Sequence, residues 1–295
     1  VEEVGTSILS DWHCHLGEGC TYDAATDTAW WFDIIERKLF QADLASGAVT
    51  SHALPLMASV LAFIDDQRQL LATENGLYVR DIADGRLTLH IPLEADNAAT
   101  RSNDGRVHPC GALWIGTMGR NAEKGAGAIY RFFRGELLRL YADITIPNAI
   151  CFSPDGATAY FTDSSKGVLC RVAIDPANAL PIGNPGTLYD ASGGAGGLDG
   201  AVVDAEGLIW NARWGGSCID VYTPEGDRVR TIRIPAKQPS CPVFVGRNFA
   251  SLLVTTAWEG MDEHARAADP HHGQTFVLDV GAQGRPEPRI RLGST

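Results

Sequence analysis

Residues 146–175 read IPNAICFSPDGATAYFTDSSKGVLCRVAID. An apolar run (IPNAICF) stops at the turn signal Ser153-Pro154-Asp155-Gly156, a second run (AYFTD) follows, and SSKG leads into an alternating third (VLCRVAID). This is a strand–turn–strand–turn–strand unit, and it is not alone. The same plan recurs in WWFDI with KLFQAD, LLATENGLYVRD, LWIGTM with AIYRFF, IWNARWGGSCIDVYT, and LLVTTAWEG with TFVLDV. Equivalent positions are Trp31, Leu71, Trp114, Tyr160, Trp210 and Leu253, separated by 40, 43, 46, 50 and 43 residues. A mean period of about 44 residues falls within the ~40–50 of a propeller blade. Two stretches free of Gly and Pro, Cys20–Ser46 and Leu56–Asn75, invite a helical reading, but their aromatic and β-branched runs favour strands joined by tight turns. The fold expected is all-β: a six-bladed β-propeller of four-stranded antiparallel blades, one domain over 1–295. An α/β sheet would need helical crossovers, for which the spacing leaves no room.

Composition narrows the function. Lys and Arg number 24 against 36 Asp and Glu, a formal charge of −12, and no basic run offers a footing for nucleic acid. With 45% hydrophobic and 20% charged residues the chain is of ordinary globular composition. No run approaches the ~18 apolar residues that span a bilayer, and VEEVGTSILS lacks the basic-then-apolar pattern of a signal peptide. Seven scattered cysteines without a C-x-x-C point to reduced, mostly buried thiols and a cytoplasmic location. Nothing marks a dimer face, so the oligomeric state stays open.

Repetition also locates chemistry. Eleven to thirteen residues before the anchors, where each inner strand begins, stand Glu18, Ser59, Asn103, Asn148, Asp199 and the Ser240–Cys241 pair. One shared offset thus gathers carboxylates and amide oxygens at one end of the central channel. Hard oxygen donors suit Ca²⁺, Mg²⁺ or Mn²⁺, with Zn²⁺ or Fe²⁺ admissible when water completes the shell. Without a cation, like-charge repulsion between Glu18 and Asp199 raises a carboxyl pKa. Taken singly, Asn or Asp beside Gly is a turn residue; the common offset is what raises these positions above that reading. His13 and His15, two apart on an expected strand, and His271–His272 in a loop have no zinc-site spacing. GGAGG at 193–197 lacks the Lys-Ser/Thr of a phosphate loop and reads as a flexible approach to Asp199, and no G-x-S-x-G elbow is present.

LGEG (16–19), RSNDGRVHPCGALWIGTM (101–118), IPNAICFSPDG (146–156) and LDGAVVDAEGLIWNARWGG (198–216) resemble the motifs of the gluconolactonase/regucalcin (senescence marker protein) family, with blade spacing kept from about residue 14 to 280. The resemblance implies a six-bladed propeller with one catalytic divalent cation, held by Glu18, Asn148 and Asp199, and a sugar-acid lactone as substrate. It implies that Arg101 and Asn103 hold that substrate. Asn121 stands near a substrate-contacting Glu of some animal members, and WNARWGG, closer to bacterial sugar lactonases, adds Arg213 as a substrate contact. Cys20 replaces a usual Pro and His108 a usual Asp. The expected activity is hydrolysis of an aldonolactone (glucono-, galactono-, arabino- or xylonolactone), the cation acting as Lewis acid and Asp199 as both ligand and general base. The alternatives are an esterase or phosphotriesterase at the same ion, or a calcium-binding regulatory propeller without turnover.

Overall fold

The computed structural model describes residues 1–293. It is a ring of six four-stranded antiparallel sheets, each ordered in sequence from an inner strand at the channel to an outer strand at the rim, except the last. The inner strands are Gly17–Asp23, Ala58–Phe63, Thr100–Val107, Pro147–Phe152, Gly197–Val203 and Pro239–Val245. All six anchors fall on the second strands, Thr28–Asp33, Arg68–Thr73, Leu113–Gly119, Thr158–Asp163, Ile209–Trp214 and Ser251–Thr256. These strands are covered on both faces by neighbouring blades, which is why they read as nearly continuous apolar runs. Outer strands such as Val49–Ala53 and Glu136–Ile144 are largely exposed.

There is no single core. Six apolar clusters sit one to a seam between adjacent blades, and each draws residues from both sides. Trp114 of the third blade meets Phe152 of the fourth edge to face at 5.6 Å, and Trp210 of the fifth meets Phe244 of the sixth at 5.5 Å.

Two features close the ring. The sixth blade takes its outer strand from Gly5–Ser10, which pairs with Thr275–Asp279 in the register Gly5↔Asp279. Residues 281–293 then run without regular structure across the far end of the channel, past the ends of several inner strands. Ile290 N–H donates to Phe63 O at 2.9 Å, the Arg291 N–H donates to Gly111 O at 2.9 Å, and the Arg285 side chain donates to Phe152 O at 3.4 Å. Beneath them Arg106, on an inner strand, donates to Glu287 at 2.6 Å and to Ala201 O at 3.1 Å.

Local readings need three corrections. His13 and His15 lie on the loop before the first inner strand, with His15 stacked on Trp258 at 3.9 Å. GGAGG is held rather than loose. The Arg213 guanidinium donates to Ala195 O and Gly196 O at 3.2 and 2.8 Å, and Gly196, at φ 77°, leaves no room for a Cβ, which would lie 2.6 Å from Trp214 O. A short helix, Glu263–Ala268, capped by Asp262, was not expected. All seven cysteines are free thiols. Among the described residues no helix is long and apolar enough to cross a membrane.

Candidate metal centre

The shared offset has a structural cause. Every inner strand carries a β-bulge where it begins to pair with its second strand, and the residue picked out by the offset sits at that bulge. Register shifts fall between Glu18 and Thr21, Ala58 and Val60, Ser102 and Gly105, Asn148 and Cys151, Leu198 and Ala201, and Pro239 and Cys241. A bulge bends the strand and re-aims a side chain. Gly19 (φ 59°) and Ala149 (φ 54°) take the left-handed turn directly after Glu18 and Asn148.

The approach to the bulge is fixed differently from blade to blade. In the first, Asp33 accepts the His15 and Leu16 N–H groups at 2.8 and 3.2 Å. In the fourth, Asp163 accepts those of Thr145 and Ile146 at 3.0 and 3.1 Å. The fifth reverses the polarity: Arg213 donates to backbone carbonyls, its own charge shared with Tyr222 Oη at 3.0 Å and Asp220 at 3.4 Å.

Four bulge residues, Glu18, Asn103, Asn148 and Asp199, line one cavity of about 420 Å³, together with Arg101 and Asn121. The serines do not join them. Ser59 donates to Ser102 Oγ at 2.7 Å, and Ser240 donates to Gly17 O, so both hydroxyls are used between inner strands. Arg213 is not on the cavity wall either; its side chain is buried among the bonds just described, so the structure gives it a supporting place behind Asp199 in place of the expected substrate contact. Asn121 lies at the rim, bonded to Glu123 at 3.0 Å. Arg120, Ser164, Trp214 and Glu259 also line the cavity and were not read from the sequence. Trp214 is the last residue of its second strand, and the other three stand on the turns that leave theirs, so a second shared offset, just after the last residue of those strands, marks Arg120 and Ser164.

Burial dominates the electrostatics. Glu18 is pushed up to about 8, first by loss of water and then by the Asp104 carboxylate, against the Gly19 N–H, which it accepts at 2.9 Å. Asp199 lies well above the usual carboxylate range, again first by burial and then by Glu18. The like-charge effect anticipated from sequence is present, but secondary to desolvation. Asp104, one residue past Asn103, is raised to about 6 by burial although it accepts the Ile150 N–H at 2.8 Å. Among the described residues no Lys, Arg or His forms an ion pair with Glu18 or Asp199. Arg101 lowers the Glu18 pKa from a distance but less than burial and Asp104 raise it. Two buried acids without a direct ion pair are costly by themselves and suit a small multivalent cation. No three His, Cys, Asp or Glu converge among the described residues, so the Asn148 amide oxygen would be the third protein donor. Three oxygens fit a hard divalent ion and leave coordination positions open for water or substrate.

A six-bladed propeller with two buried acids and an amide at the open mouth of its channel defines the class: a propeller built around a candidate cation site. The chain belongs to the SMP-30/gluconolactonase/LRE-like family, whose model matches residues 16–258. The resemblance read from the motifs is thereby borne out. A protein of Rhizobium meliloti named "Putative sugar lactone lactonase" is 58% identical over 96% of each chain. L-arabinolactonase of Azospirillum brasilense is 33% identical, covering 96% of this chain and 95% of that one. The crystal structure of a calcium-binding protein, regucalcin, from Agrobacterium tumefaciens superposes with a TM-score of 0.97 at 51% identity over 98% of each chain.

Proposed function

We propose that this chain hydrolyses the lactone of a sugar acid to the free aldonic acid, with one divalent cation held by Glu18, Asn148 and Asp199. The observation that carries the reading is the buried Glu18–Asp199 pair, unpaired by any cationic side chain, in a cavity whose wall presents Arg101. When bound, the cation supplies Lewis acidity at the lactone carbonyl. The chain's own residues do the rest. Arg101 Nη1 is committed to Ser102 O and Asn103 Oδ1, both at 2.9 Å, which leaves Nε and Nη2 for a sugar hydroxyl or the developing oxyanion. Asp199 takes a proton from the attacking water, whose oxygen bonds to the acyl carbon; the ring C–O bond then breaks and Asp199 returns that proton to the departing ring oxygen, which becomes the new hydroxyl of the acid. Trp214 and Glu259, also on the cavity wall, offer an apolar face and an acceptor for a polyhydroxylated ring.

Family membership and the names of the relatives support a lactone substrate, and the calcium-binding neighbour supports a divalent ion. The test is acid release from a panel of glucono-, galactono-, arabino- and xylonolactones, before and after EDTA and with Ca²⁺, Mn²⁺, Zn²⁺, Mg²⁺ or Fe²⁺ restored. Turnover that EDTA removes and one of the ions returns is expected. Lactone opening no faster than the spontaneous rate with every ion overturns the reading, and turnover of an aryl ester or phosphotriester alone would move the chemistry while keeping the site.

A further inference from the structure

The candidate ligand Asn148 stands in a chain of hydrogen bonds whose direction is set at both ends. A guanidinium only donates. Arg101 Nη1 therefore fixes the oxygen of the Asn103 amide on its own side at 2.9 Å. The Asn103 amide nitrogen then points away, donating to Pro147 O at 2.9 Å and to Asn148 Oδ1 at 3.0 Å. Asn148 Nδ2 in turn donates to Ser164 Oγ at 2.9 Å, and the Ser164 hydroxyl donates to Leu198 O at 2.6 Å. Leu198 O is a backbone carbonyl and can only accept, and it belongs to the residue before Asp199. With an obligate donor at one end and an obligate acceptor at the other, flipping the Asn148 amide would set two NH₂ groups face to face at Asn103. Ser164 is itself fixed. It opens a single 3₁₀ turn, Ser164–Lys166, capped by Asp163, which also accepts the Ser165 hydroxyl at 2.8 Å.

We infer that Ser164 is a positioning residue: through one hydroxyl it sets which end of the Asn148 amide faces Asn103 and ties the fourth blade's donor to the strand that carries Asp199. This rests on the cation site proposed above. Residues that orient a metal ligand typically contribute 10–100-fold to metal affinity.

The experiment is calorimetric titration of chelated, refolding-competent protein with Mn²⁺ and with Ca²⁺, alongside the melting temperature without metal. Ser164→Ala is expected to bind at least ~10-fold more weakly than wild type, with its metal-free melting temperature little changed and with lactone turnover largely recovered at saturating metal. Ser164→Thr, which keeps the hydroxyl, is expected to restore the affinity. Should the Ala variant fail to fold, Ser164→Cys, near in size but a poor hydrogen-bonding partner, must show the same loss. Wild-type affinity in the Ala or Cys variant, while Glu18→Gln abolishes binding, overturns the role of Ser164 and leaves the cation site standing. Failure of Ser164→Thr to restore affinity also overturns it. A wild-type protein that binds neither ion overturns the cation site and this role with it.

Discussion

The two ends of the channel handle buried charge in opposite ways. At the far end the Arg106 side chain is only 11% exposed, yet the strap of residues 281–293 brings Glu287 to 2.6 Å, and the charge is balanced within the chain. At the open end Glu18 and Asp199 are just as enclosed, and the Arg101 guanidinium, the nearest positive charge, forms no ion pair with either; burial and the neighbouring carboxylates outweigh it. The pair below is finished by the protein, and the acids above are arranged for something the protein does not supply. A stable fold and a reactive site can share one channel because the closed end is self-contained.

Substitutions at the open end should have the largest effect. Asp199→Asn or Glu18→Gln is expected to lower lactone turnover on the order of 10³-fold, equivalent to about 4 kcal/mol of barrier, in initial-rate assays. The same variants should melt higher than wild type when both are metal-free at neutral pH, since each removes a buried acid that must hold a proton the unfolded chain gives up; a lower melting point would break the contrast. At the closed end Glu287→Ala should cost about 3 kcal/mol in urea unfolding by leaving Arg106 unpaired. Its turnover per folded molecule should stay near wild type, and a fall in turnover to match the open-end variants would show that the two ends are not independent.

The pH dependence follows from the sign of the Glu18 shift. Its folded pKa is raised from 4.5 to about 8, so the folded chain keeps a proton that the unfolded chain gives up. Stability from this group is fully present below about 4.5 and is lost as the pH rises through 8. A cation offsets that loss, so the metal-induced rise in melting temperature should grow from pH 5 to pH 8 in scanning calorimetry; a constant rise would contradict the shift. The smallest effect is expected at Ser59, a bulge residue outside the cavity. Ser59→Ala should cost about 1 kcal/mol for its lost hydrogen bond and leave turnover within about twofold of wild type.

How much of this was legible follows from the ring. Period and offset both survive in sequence because each blade repeats the same pair of strands, so the anchors and four cavity residues could be read from spacing alone. The offset could not separate Asn148 from Ser59, because a bulge re-aims both, while the Ser59 hydroxyl is spent on Ser102 of the next inner strand and Asn148 lines the cavity. Arg213 misled because a buried Arg bonded to carbonyls and an exposed Arg awaiting substrate look alike in a motif. The Gly5–Ser10 strand was not assigned to the sixth blade because its partner lies at the opposite end of the chain, where no local pattern records the pairing. Ser164 and Glu259 stand on turns after the second strands and fall outside the offset used.

That distant pairing has a consequence for how the molecule comes into being on the ribosome. Blades one to five consist of consecutive strands and can form in the order in which they emerge. The sixth cannot: its outer strand is made well before the rest of its blade and must wait for Thr275–Asp279 to leave the exit tunnel. The seam between the first and last blades, the one that brings Glu18 beside the sixth blade, is therefore sealed only after Thr275–Asp279 has emerged, and a chain stopped before that strand would be left with an open arc in place of a ring.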